Sequence, residues 1–271
     1  MNNELEEMVR VVQEEIKLMT ANQASSEMWG KESDDLKEKL SKPKLIMVAG
    51  NLGFGKSTIT KVLSRLGHAI DIYEPLDNPI LKLYYDDMAS YSERLQNDLF
   101  NVRFNDIIIN RIQNPTSTII SDRTTYEDPL IFCQVLKNSD LMNQESLDFC
   151  NFYFKEKLNQ LESRYKKSLT PDLIINLKGS FETGWKRVKN RNRAIEVRED
   201  AKKGTGLTQE FYQTLHNQYE TFEEDLKQFY QGPVLTLPQD DLGVCDIHNS
   251  KGLLYAVRTL NKALSIINNQ N

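Results

Sequence analysis

Apolar residues along the chain fall into two textures. From Lys44 onward, short continuous apolar runs alternate with longer stretches of helical periodicity. Leu45-Ile46-Met47-Val48-Ala49, closed by Gly50, has the density of a strand buried on both faces. Comparable runs at Ala69–Tyr73, Ser117–Ser121, Leu173–Leu177 and Val234–Leu237 predict four more strands, the last opened by Gly232-Pro233. Apolar positions three and four apart predict helices over Ser57–Leu66, Pro79–Asn114, Asp128–Val135, Gln144–Lys167, Phe181–Arg191, Thr208–Tyr230 and Gly252–Ile267. Strands alternating with helices imply a doubly wound α/β fold, a five-stranded parallel sheet covered on both faces.

The first forty residues read differently. Leu5, Met8, Val9, Val12, Ile16 and Met19 recur at helical spacing among Glu, Gln and Lys, predicting one amphipathic helix. A polar stretch (Ala21–Ser26) and a charged segment (Lys31–Lys39) follow it. The division expected is a helical extension over 1–40 and one catalytic domain over 41–271. The apolar stripe of the extension must be covered, either by its own domain or by a second subunit.

Composition narrows the class. With 34 Lys plus Arg against 39 Asp plus Glu, the net charge of −5 argues against a nucleic-acid partner. No apolar run approaches the ~18–20 residues needed to span a bilayer. Glu4, Glu6 and Glu7 stand where a targeting peptide would carry basic residues. Three cysteines, Cys133, Cys150 and Cys245, are too few and too scattered for a disulfide framework. Free thiols in a reducing, cytoplasmic compartment are expected.

The most specific chemistry is Gly50-Asn51-Leu52-Gly53-Phe54-Gly55-Lys56-Ser57, a G-x-x-x-x-G-K-[ST] phosphate loop, followed by Thr58. It follows a predicted strand and opens a predicted helix, the setting in which backbone N–H groups and a helix N-terminus surround anionic oxygens. Lys56 is expected to reach the β- and γ-phosphates of a nucleoside triphosphate, and the Ser57 hydroxyl to ligate Mg²⁺. The sequence holds no N-K-x-D guanine reader on a loop and no L-S-G-G-Q stretch. Kinases of small molecules remain.

An acceptor site is then required. Glu74-Pro75 closes the second strand and Ser121-Asp122-Arg123-Thr124 the third, placing an acid and a base at the sheet edge where open α/β folds bind ligands. Glu74 could accept a proton from an attacking hydroxyl, and Asp122 has the form of a strand-end Mg²⁺ carboxylate. Arg187, Lys189, Arg191 and Arg193 crowd into seven residues ahead of Glu196. Such a cluster suits neutralisation of a transferring phosphoryl group.

Taken together, these residues resemble the deoxyribonucleoside kinase family, a P-loop kinase fold, over about residues 44 to 240 and in family order. The resemblance implies Glu74 as general base on a 5′-hydroxyl, with Arg123 and Lys56 as the other catalytic groups. It implies ATP held by Gly50, Asn51, Leu52, Gly53, Phe54, Gly55, Lys56, Ser57, Thr58, Arg187, Arg191 and Arg193, with Mg²⁺ on Ser57 and Asp122. Tyr85 and Glu196 would touch the 3′-hydroxyl, while Gln96 with the Arg103/Asp128 pair would read the base. Departures exist: Asn192 separates the lid arginines where the family usually has Gly, and Asp122 stands where many members have Glu.

The expected activity is ATP-dependent 5′-phosphorylation of a deoxyribonucleoside, a purine and first deoxyadenosine, by a homodimer or, through the N-terminal helix, a homotetramer. The alternatives are a nucleoside-monophosphate kinase of thymidylate-kinase type and a silent relative that only binds nucleotide.

Overall fold

The computed structural model describes residues 2–18, 26–74, 78–166, 168–191, 206–240 and 250–270. The strands are β1 (Leu45–Gly50), β2 (Ile70–Ile72), β3 (Ile119–Asp122), β4 (Leu173–Lys178) and β5 (Val234–Pro238). They form one sheet in the order β2-β3-β1-β4-β5, every neighbouring pair parallel. The expected α/β architecture is therefore present. All six residues of β1 are buried, as a central strand covered on both faces requires.

Alternation along β1 divides the core. Leu45, Met47 and Ala49 face α5 (Met88–Gln113), α7 (Gln144–Tyr165), α9 (Gln209–Glu220) and α10 (Phe222–Leu226). Ile46 and Val48 face α3 (Lys56–Gly67) and α11 (Ser250–Gln270). A third apolar cluster joins α4 (Pro79–Asp86), α5, α6 (Cys133–Asn138), α8 (Phe181–Asn190) and α9. The strand order reverses at β1, so its C-terminal end lies at the switch point where such sheets bind ligands.

The N-terminal region corrects the sequence reading. It holds two helices, α1 (Asn2–Leu18) and α2 (Ser26–Lys39), and the segment Lys31–Lys39 belongs to the second. The stripe of α2 was hidden because Glu32 occupies one of its core positions, ahead of Leu36 and Leu40. Glu32 accepts hydrogen bonds from Arg258 Nε at 2.7 Å and Asn261 Nδ2 at 2.9 Å, which satisfies a carboxylate that is otherwise costly to bury. Leu5, Val12 and Leu36 are fully buried in the core shared with α11, and Met8 and Val9 pack beside them. That part of the stripe is covered by its own chain. Ile16 and Met19 lie outside the described side chains, and Pro75, Arg193, Glu196 and Cys245 lie outside the described residues. Leu36→Ala should destabilise the protein by about 2–5 kcal/mol, with turnover per folded molecule unchanged. A shift below about 1 kcal/mol in denaturant unfolding would mean that α2 is only loosely docked.

Two predicted helices are interrupted. The run from Pro79 breaks at Asp87 (φ −151°, ψ 86°), whose side chain leaves the helix to accept from the Ser90 N–H at 3.2 Å and caps α5. The run from Thr208 breaks at Thr221, between α9 and α10. Asp128–Phe132 forms a π-helical turn ahead of α6, the kind of irregularity that often accompanies a functional site.

Candidate active site

The phosphate loop joins β1 to α3. Gly50, Gly53 and Gly55 have φ values of 140°, 86° and 82°. At Gly53 a Cβ would stand 2.6 Å from the Gly184 carbonyl oxygen, so both backbone angle and space demand glycine there. Lys56 opens α3 with its ammonium folded onto the loop, donating to Gly50 O at 2.7 Å and Asn51 O at 3.1 Å. Burial, then the nearby charge of Arg123, lowers its pKa to about 8.

Beside it the Ser57 hydroxyl donates to Asp122 Oδ2. Asp122 Oδ1 is buried without a hydrogen-bond partner, and burial raises the carboxyl above its ordinary pKa. An orphaned anionic oxygen next to a hydroxyl suits Mg²⁺, a hard cation that keeps several waters and is usually shared with substrate phosphates. Among the described residues no cluster of three or more His, Cys, Asp or Glu could hold a metal alone.

Next to the loop lies a buried ionic network. Glu74, just past β2, accepts from Arg103 Nη2 at 2.6 Å, from Arg123 Nε at 3.1 Å and from Arg123 Nη2 at 3.3 Å. Burial alone would raise its pKa, but Arg123, Arg103 and Lys56 together draw it down to about 2. Arg103 also pairs with Asp128, whose carboxyl burial pushes up to about 6 in spite of that guanidinium. Arg123 sits in the positive-φ region (φ 102°), a strained conformation for a non-glycine residue held by its surroundings. Its guanidinium lies 4.7 Å from the centre of the Phe132 ring and donates to Glu127 and Tyr219, each at 3.2 Å.

Glu74, Tyr85, Gln96, Arg103 and Arg123 line one cavity, open at its mouth. Its apolar walls come from residues such as Leu81, Tyr84, Phe132, Leu207 and Phe211. Gln96 is 6% exposed and its Oε1 has no partner among the described residues. Asp128 stands behind Arg103, lining a narrow adjoining cleft together with Gln96, and its Oδ2 also has no partner among the described residues. The structure thus brings together residues spread from Glu74 to Asp128. Arg187 lies on α8 beside the loop, with Nη2 donating to Gln239 O at 3.2 Å, and Arg191 caps the same helix.

Glu127 escaped the sequence reading. It is fully buried and accepts from Thr124 N–H at 2.7 Å, while the Glu127 N–H donates to Thr124 Oγ1 at 3.2 Å. Those reciprocal bonds form a capping box, and T-x-x-E at 124–127 was its legible signal. Tyr219, Phe132 and the cavity walls carried no comparable signal, because an aromatic or Leu in a helical pattern reads as core.

Comparison with known proteins gives a consistent picture. A family model described as deoxynucleoside kinase matches residues 46–260. A deoxyguanosine kinase of Lactobacillus acidophilus is 33% identical over 155 residues, which span 56% of this chain and 64% of that protein. A deoxyadenosine/deoxycytidine kinase of Bacillus subtilis is 27% identical over 212 residues, covering 78% of this chain and 89% of the other. In three dimensions the chain resembles deoxyadenosine kinase from M. mycoides with dCMP and a flexible dCDP bound. The TM-score is 0.63 at 25% identity, covering 82% of this chain and 99% of that one.

Proposed function

The chain belongs to the deoxynucleoside kinase family, a family of phosphate-transferring enzymes, and from that premise we propose that it transfers the γ-phosphoryl group of ATP·Mg²⁺ to the 5′-hydroxyl of a deoxyribonucleoside, deoxyadenosine foremost. The observation that carries this reading is one cavity holding Glu74 at its polar end and the unpartnered Gln96 Oε1 in its wall, beside the phosphate loop. A nucleoside placed there has its sugar hydroxyl at Glu74 and its base at Gln96.

Lys56, Arg187, Arg191 and Arg193 then neutralise the transferring phosphoryl; Ser57 and Asp122 would hold Mg²⁺, which would supply further positive charge there. Glu74, held anionic by two guanidiniums, accepts the 5′-hydroxyl hydrogen and takes the proton as the new O–P bond forms and the bond from the γ-phosphorus to the bridging oxygen breaks, with ADP leaving. Arg123 fixes Glu74 in place. Tyr85 and Glu196 receive the 3′-hydroxyl.

The Gln96 oxygen in the cavity wall is an acceptor, with Asp128 behind it against Arg103, so the wall favours a base with an exocyclic amino donor and disfavours thymine. Three carboxylates (Glu74, Glu127 and Asp128) meet two arginines in this network. Among the described residues that line the cavity the cations are Arg103 and Arg123, both already paired with carboxylates, so an acceptor's own phosphate finds no unengaged guanidinium there. That argues against a nucleoside-monophosphate kinase. Competition among the four deoxynucleosides at limiting concentration tests the base assignment. Deoxyadenosine should be consumed first, and preferential loss of deoxyguanosine or thymidine would refute it.

Asp128 gives a pH signature. Below pH about 6 it gains a proton, weakens its pairing with Arg103 and stops acting as a plain acceptor. The KM for nucleoside should therefore rise as pH falls through about 6, and Asp128→Asn should remove that limb. A limb that persists in the variant belongs to another group.

Exposed Ile109 and Ile112 on α5, and Phe149 and Phe152 on the adjoining α7, support a homodimer built through these helices, in a reducing cytoplasmic setting. No helix among the described residues is long and apolar enough to cross a membrane.

A further inference from the structure

Helix α9 reaches the phosphate loop twice. Tyr212 and Tyr219 are seven residues apart, about two turns, and so share one face of the helix. The Tyr212 hydroxyl donates to Leu52 O, inside the loop, at 2.8 Å. Tyr212 is fully buried between the rings of Phe181 and Trp185. A Cβ on Gly184 would come within 2.1 Å of its hydroxyl oxygen, so glycine at 184 leaves the room for that contact.

The Tyr219 hydroxyl donates to Glu127 Oε1 at 2.6 Å. The same carboxylate oxygen accepts from the Gly50 N–H at 3.3 Å and from Arg123 Nη1 at 3.2 Å. The Gly50 N–H marks the start of the loop, and Arg123 is the residue that holds Glu74. One fully buried carboxylate therefore joins β1, the segment after β3 and α9 at a single point.

The geometry points to Tyr212, Tyr219 and Glu127 as positioning residues of the phosphoryl transfer, with α9 holding the first half of the phosphate loop at two points: Tyr212 directly on Leu52, Tyr219 through Glu127 on Gly50 and Arg123. None of the three lines the main cavity. Their effect is to fix where Lys56 and Glu74 stand relative to each other. This inference rests on the kinase reading above, because it assigns the network to that reaction.

Steady-state kinetics of Tyr212→Phe, Tyr219→Phe, Glu127→Gln and the paired variants test it, with melting temperatures measured alongside. Tyr212→Phe deletes the bond to Leu52 and Tyr219→Phe deletes the bonds to Glu127 and Arg123; each should lower kcat about five- to tenfold, leaving the KM for deoxyadenosine within about twofold. Tyr219→Phe should cost little more in a Glu127→Gln background, because the two act through one contact. Tyr212→Phe and Tyr219→Phe should multiply, because they act at different points of the loop. Unchanged kcat in both tyrosine variants, with only the melting temperature lowered, would overturn the assignment and leave a structural role.

A second readout needs no turnover. Amide hydrogen exchange across residues 50–55 should speed up in the Tyr212→Phe/Tyr219→Phe double variant, and wild-type exchange there would equally overturn the clamp. A wild-type protein without deoxynucleoside-dependent turnover would contradict the kinase reading instead, and the exchange result would still decide the clamp.

Discussion

Glu74→Gln should lower kcat by about 10²–10⁴-fold, the range for a general base, while the protein still folds and binds nucleoside. The substitution keeps the shape and removes the anion. Arg103 keeps Asp128 as partner and Arg123 keeps Glu127, so neither guanidinium is left buried with uncompensated charge. What disappears is the carboxylate charge held between both arginines, and with it the basicity that takes the hydroxyl proton. With a pKa near 2, Glu74 is charged throughout the working range. Its own titration therefore adds no acid limb to the rate above about pH 3. Rates within a few-fold of wild type would remove Glu74 from the mechanism.

The second large effect belongs to Lys56. Lys56→Met should reduce kcat by roughly 10³-fold, comparable to deleting a preorganised charge that meets the developing negative charge of the transition state, and should weaken MgATP binding as well. In the free protein the ammonium bonds to two carbonyls of its own loop, so it stands over the position where phosphate oxygens belong. Its lowered pKa adds a sign. The charge is present below pH about 8 and is lost above it. MgATP affinity should therefore decline as pH rises through about 8, and Lys56→Met should show no such decline. Titration calorimetry across that range reads both. Equal affinity for MgATP in variant and wild type would show that Lys56 faces elsewhere.

Much of the fold was legible because β1 is a continuous apolar run, β4 is one broken only by Asn176 before its closing Lys178, and the phosphate loop matches its pattern at every position. Regular alternation in β1 feeds two separate cores, and strand–helix alternation forces a parallel arrangement. The misses have identifiable causes. Glu32 disguised α2, because a carboxylate at a core position makes a stripe look solvated; its partners, Arg258 and Asn261, lie more than 220 residues away in sequence. Asp87 broke a long helical pattern by capping a new helix with its own side chain. Glu74, Arg103, Arg123 and Asp128 were individually visible, but their order in space was not. Sequence offers no sign that Arg103 bridges Glu74 and Asp128, nor that Asp128 stands behind the main cavity instead of in its wall. Glu127 was visible as part of a capping box and unreadable as a hub, since Tyr219 and Gly50 reach it only through the packing of α9 on the loop.

The most direct test of the account is to supply γ-labelled ATP and Mg²⁺ with either deoxyadenosine or deoxyadenosine monophosphate and identify the labelled product. Label on the 5′-oxygen of deoxyadenosine, with the monophosphate left unlabelled, is the predicted result. Label on the monophosphate alone, or release of phosphate that ignores the deoxynucleoside, would contradict it.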